Sequence, residues 1–231
     1  MKPILDLISG IEFGQFGAII SAIAALGTAA FGIVDATKMF NDGISNIGYD
    51  FIRSALQPYE VALRIINEDA PYAITNANWL NGMEKSEQKA IARNLIRLGF
   101  NSSTAPAIAK SVLPNDVETL SKIAAKIEKG TAPTEAELAV LARFDAIIDA
   151  RLDAAFERAD QKYRNTSRVA AAGISVLLAI VGAMVVYNSI GWDVIALGLA
   201  VGIISVPVAP VAKDLSSGIS TAVATFKTIK K

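Results

Sequence analysis

The chain has 231 residues, with 22 basic and 22 acidic side chains, no His and no Cys. Without His or Cys there is no imidazole base, no thiolate, no Ser-His or Cys-His nucleophile and no sulfur-ligated metal, so an enzyme is not expected. The balanced charge supplies no basic face for nucleic acid.

The hydrophobic share, 52%, is only slightly above that of soluble proteins, so its distribution decides more than its total. Three runs, residues 13–34, 169–187 and 194–212, contain no Asp, Glu, Lys or Arg. Each is close to the roughly 20 apolar residues that cross about 30 Å of hydrocarbon. The expected fold is an all-α integral membrane protein with three transmembrane helices and a helical soluble domain. A long stalk helix of that domain is expected to continue into the second span.

Residues 1–12 carry Lys2, Asp6 and Glu12 among aliphatic side chains and read as a short external N-terminus. The run at 13–34 is long for the core of a signal peptide and is preceded by acids, which predicts a retained span, not a cleaved leader. Small residues four apart, Ala18 with Ala22 and Ser21 with Ala25, predict close packing against another helix in lipid.

The segment 35–168 reads as the soluble domain. Apolar residues at helical spacing from Phe40 to Leu56 predict a helix that leaves the membrane and continues to Gln57, before Pro58. Val61 to Ile66 predict another short helix, and Tyr72 to Met83, with three Asn and a Gly, predict a loop holding Trp79. Ser86 is placed to cap a helix through Leu98, its apolar face being Ile91, Leu95 and Leu98, with Gly99 ending it.

A short helix near 106–113 is followed by a coiled stalk hairpin over 115–168. Its first arm starts at Asn115 with Glu118 and presents Val117, Leu120, Ile123, Ala124 and Ile127. Its second arm starts at Thr134 with Glu137, the spacing of a reciprocal capping box. An apolar stripe follows at Leu138, Leu141, Phe144, Ile148, Leu152 and Ala155, and no Gly or Pro interrupts the helix before Gly173.

Lys162, Arg164 and Arg168 precede the second span and Lys213 follows the third, whereas the turn at 188–193 has no basic residue. Basic residues favour the cytoplasmic side, which places the domain inside and the turn and N-terminus outside, in a bacterial inner membrane. In the third span Gly198 and Gly202 form a Gly-x-x-x-Gly pair, and Pro207 and Pro210 predict a kink or an unwound end. The tail at 213–231 repeats Leu215, Ile219, Val223, Phe226 and Ile229 at helical spacing. It ends on Lys227, Lys230 and Lys231, which suits an anionic lipid surface.

Two clusters are candidates for chemistry. Asp145, Asp149, Asp153 and Glu157 recur every four residues, so neighbours could share a hard divalent cation; the competing reading is a solvated face neutralised by Arg151 and Arg158. In an oligomer, Asn188, Ser189, Trp192 and Asp193 could line a cation-attracting pore mouth. Alternatively, Tyr187 and Trp192 sit at headgroup depth. No phosphate loop or dinucleotide fingerprint occurs, so no cofactor is expected.

The order of stalk, membrane hairpin, outer turn and basic tail resembles two-span cation channels of the magnesium-transporter and mitochondrial-calcium-uniporter kinds. Trp192-Asp193 matches part of the uniporter signature, but Ala196 stands where its glutamate follows, and the Gly-Met-Asn turn of the magnesium family is absent. The resemblance therefore implies shape and not activity.

The leading expectation is a non-enzymatic inner-membrane protein, surrounded by lipid, that self-associates and presents its cytoplasmic domain to a protein partner. A homo-oligomeric ion channel gated by that domain is the alternative, and a membrane-disrupting toxin or effector the third.

Overall fold

The computed structural model describes residues 13–37 and 46–209, which are helical with short connections and contain no strand. The sequence-based readings of the N-terminus, Pro210 and the tail with Lys227, Lys230 and Lys231 lie outside the described residues. In order, the helices are α1 (Phe13–Ala36), α2 (Tyr49–Leu56), α3 (Glu60–Ile66), α4 (Ala73–Leu80), α5 (Lys85–Leu98), α6 (Ala105–Val112), α7 (Val117–Glu128) and α8 (Glu135–Tyr187). The last described helix is α9 (Trp192–Ala209), and 3-10 turns at Gln57–Tyr59 and Pro114–Asp116 lead into α3 and α7.

Among the described residues three helices are long and apolar enough to cross a membrane, as the uncharged runs predict: α1, α8 and α9. The chain divides into two compact units, Ser45–Tyr163 and the remainder, so one boundary falls inside the 53 residues of α8.

In the globular unit, residues 45–163, the core gathers large side chains from most helices. Ile52, Tyr59, Ile96, Ile123, Phe144 and Leu152 are all sealed from solvent. Burying each such side chain contributes about 1.5–3 kcal/mol. The Phe144 ring is its aromatic centre, lying edge-on to Tyr59 with centroids 6.4 Å apart and tilted against Phe100 at 5.2 Å.

Several local expectations give way to tertiary contacts. The helix expected from the first span to Gln57 is interrupted, because Gly48 has φ +102° and α2 begins only at Tyr49. A side chain there would also strike the carbonyl of Ala159, so the position admits only glycine. The loop expected around Trp79 is helix α4. Its Thr75 hydroxyl meets the Tyr49 hydroxyl at 2.7 Å, and its Trp79 lies edge-on to Tyr163.

Helix α5 starts one residue before Ser86 and is capped by the Glu84 carboxylate, which accepts the Ser86 N–H at 2.6 Å. Asn115 and Glu118 form no capping box: Asn115 lies in a 3-10 turn, and Glu118 pairs with Lys122 four residues on at 2.7 Å. The stalk stripe is displaced by a turn, leaving Leu138 exposed and continuing through Phe156 to Ala159. On α5 the buried face is Gln88, Ala92, Leu95 and Ile96, and Leu98 faces outward.

Candidate functional site

The acidic row on α8 is the most organised polar feature of the globular unit. Its partners come from α5 rather than from Arg151 and Arg158. Lys85 pairs with Glu157, Lys89 with Asp153, Arg93 with Asp149 at 3.3 Å, and Arg97 with Asp145 at 2.6 Å. Both helices carry their charges every fourth residue, one ascending as the other descends, so the antiparallel pair closes a four-rung ladder.

The four carboxylates are thus spread along the interface, each facing a cation, and no group of three metal-ligating side chains occurs among the described residues. The rungs are part-exposed, which limits each to about 0.2–1 kcal/mol. They serve orientation more than stability, because they run beside a core cluster that includes Ala92, Ile96, Ile148 and Leu152.

The start of α8 is fixed by the expected capping box. The Thr134 N–H donates to Glu137 Oε2 at 2.7 Å, and the Glu137 N–H donates to Thr134 Oγ1 at 3.4 Å. Lys126 of α7 reaches the same carboxylate at 2.6 Å. Together with the N–H of Thr134, that ammonium holds the Glu137 carboxyl at about 2. Arg143 and Asp116 pair further along the same hairpin.

A second polar cluster ties α2, α3 and α4. The Tyr72 hydroxyl donates to Glu60 Oε2 at 2.7 Å, Arg64 holds the other oxygen at 2.6 Å, and Arg53 lies 5.2 Å over the Tyr72 ring. Desolvation, reinforced by the Glu60 carboxylate, pushes the Tyr72 hydroxyl up to about 12, which suits a fixed donor and not a proton carrier.

In the apolar unit the proposed packing positions separate into two groups. Gly198 and Gly202 are buried against α8: a Cβ at Gly198 would lie 2.6 Å from the Cα of Ile180, and one at Gly202 would strike the Cα of Val176. Gly27 of α1 meets the backbone of Ser205 in the same way. At this junction the Ser175 and Ser205 hydroxyls pair, and Ser205 also donates to the Gly202 carbonyl at 2.8 Å. Ala18 and Ala22, by contrast, are exposed.

Asn188 lies on the turn between α8 and α9, and Trp192 and Asp193 open α9. Asn188 takes the left-handed conformation with φ 45°, and the Ser189 N–H closes back on Met184 at 3.3 Å, ending α8. Ile190 is 80% and Trp192 86% exposed, with Asp193 beside them.

Sequence reasoning left out the basic half of the ladder, although Lys85, Lys89, Arg93 and Arg97 display the same four-residue step as the acids. The Tyr49, Tyr72 and Glu60 cluster has no comparable sequence signal, being assembled across unrelated spacings. No protein-family model, curated protein or solved structure matches the chain.

Proposed function

We propose that this chain is a non-enzymatic multi-pass membrane protein that self-associates along the outer face of α1 and presents its globular unit to a cytoplasmic protein partner. The observation that carries this reading is the contrast between two small-residue faces. Gly27, Gly198 and Gly202 are used up in contacts within the chain, while Ala18, Ala22, Ala25, Ala29 and Gly32 on α1 remain exposed. Their spacing alternates four and three, the seam of a helix pair, and small side chains let backbones approach closely in lipid. The cytoplasmic placement rests on Lys162, Arg164 and Arg168 before the apolar part of α8, against a turn without basic residues.

The test is the mass of the purified chain in detergent, compared with an Ala22→Leu, Ala29→Leu variant. The expected result is an oligomer that the paired leucines reduce to monomer. A strictly monomeric parent chain rejects the reading. Reproducible single-channel conductance altered by Asp193→Asn would replace the scaffold by a homo-oligomeric channel.

A further inference from the structure

On α8 the residues Asn165, Val169, Gly173 and Leu177 fall in steps of four and are all exposed, so they form one ridge of the helix. The ridge changes character along its length. Val169 and Leu177 are 73% and 66% exposed, and a Cβ at Gly173 would meet nothing within 4 Å, which leaves a notch between two aliphatic side chains. Below the notch the ridge turns polar, because the Asn165 carboxamide and the Arg168 guanidinium are exposed three residues apart. No acidic side chain follows on α8 after Asp160, and the charges between Tyr163 and the turn at 188–193 are Arg164 and Arg168.

We propose that this ridge holds one anionic phospholipid. The Arg168 guanidinium donates two parallel N–H groups to the phosphate, and Asn165 donates to the headgroup beside it. An acyl chain lies in the Gly173 notch against Val169 and Leu177. The inference rests on α8 entering the membrane near Val169, and it adds that this boundary selects a headgroup.

Two features favour this occupant. A zwitterionic headgroup brings an ammonium that meets no carboxylate on the ridge, whereas an anionic one brings only the charge that Arg168 complements. A soluble phosphate would use the arginine and leave the notch empty. A lipid fills both, since Val169 and Leu177 are about 12 Å apart along the helix and lie within the hydrocarbon when Arg168 is at headgroup depth.

The full chain in phosphatidylcholine vesicles tests the proposal by fluorescence quenching. A Leu177→Trp reporter in a Trp79→Phe, Trp192→Phe background is quenched by phosphatidylglycerol or phosphatidylcholine brominated on the acyl chains. An Ile203→Trp reporter in the same background is the control. It is exposed on α9 at matching depth, because a Cβ at the adjoining Gly202 would strike the Cα of Val176.

Phosphatidylglycerol should be preferred by about fivefold at Leu177→Trp and not at Ile203→Trp, and Arg168→Gln should remove the preference. Equal preference at both reporters means a diffuse surface charge and overturns the site, as does a preference unchanged by Arg168→Gln. Loss of the preference in about 10 mM inorganic phosphate assigns Arg168 to a soluble anion and overturns it too. Quenching by neither lipid overturns the span along with the site, whereas quenching without preference overturns the site alone. The two reporters are compared with Arg168 unaltered, so that outcome stands whether or not Arg168→Gln folds well.

Discussion

The globular and apolar units solve the same packing problem with opposite materials. In residues 45–163 large side chains are sealed, Phe144, Leu152 and Phe156 among them, and charges are arranged around that core. In the apolar unit the sealed positions are small: Ala30, Ala171, Ser175, Gly198, Gly202 and Ser205. Water rewards the area a side chain removes from it, so a soluble core grows by size. Lipid gives no such reward, since its tails are as apolar as leucine, and helices there gain by bringing backbones together around a few hydroxyl contacts. The contrast teaches that large sealed side chains carry one core and close backbone approach carries the other.

The largest effect that would test this contrast is Phe144→Ala, expected to cost the globular unit about 3–5 kcal/mol. Trp79 lies edge-on to Tyr163 inside that unit, so denaturant titration followed by its fluorescence in a Trp192→Phe background reads the loss. A cost below about 1 kcal/mol would mean that size does not govern this core. Next comes Gly202→Ala, an enlargement expected to cost the apolar unit about 1–3 kcal/mol because the new methyl strikes the α8 backbone. Here Trp192 is the reporter, in a Trp79→Phe background and mixed micelles of increasing denaturing detergent. A neutral result would dissolve the distinction between the units.

The smallest effect concerns Glu137. Its folded pKa of about 2 lies below the ordinary 4.5, so its contribution is complete above 4.5 and is lost as pH falls from 4.5 toward 2. A Glu137→Gln variant should therefore lose less stability than the parent chain across that interval, by the same Trp79 measurement. Parallel pH profiles would show that the Lys126 and Thr134 contacts do not hold in solution.

What could be read beforehand follows the range of the interaction. The three apolar helices and the Thr134–Glu137 box depend on neighbours within a few residues, and both are present. Helix α4 was hidden because its Asn-rich sequence is a poor helix former by itself, and Tyr49 and Tyr163 support it from distant positions. The acidic row was visible as a row but not as half of a ladder, since one helix shows charge spacing without showing which other helix faces it. Likewise Gly198 and Gly202 declare a close approach in sequence. Only the fold identifies the occupant as Val176 and Ile180 of the same chain.

The Gly27 contact with Ser205 has a consequence for biosynthesis. These residues are far apart in sequence, and at roughly 5–20 residues per second α1 is complete on the order of 10 to 40 s before its counterpart in α9 is made. During that interval the notch at Gly27 is vacant, and insertion machinery or a previously made copy is free to occupy it. An occupant of that notch has to leave before Ser205 can dock, which makes the arrival of α9 the committing event for this contact.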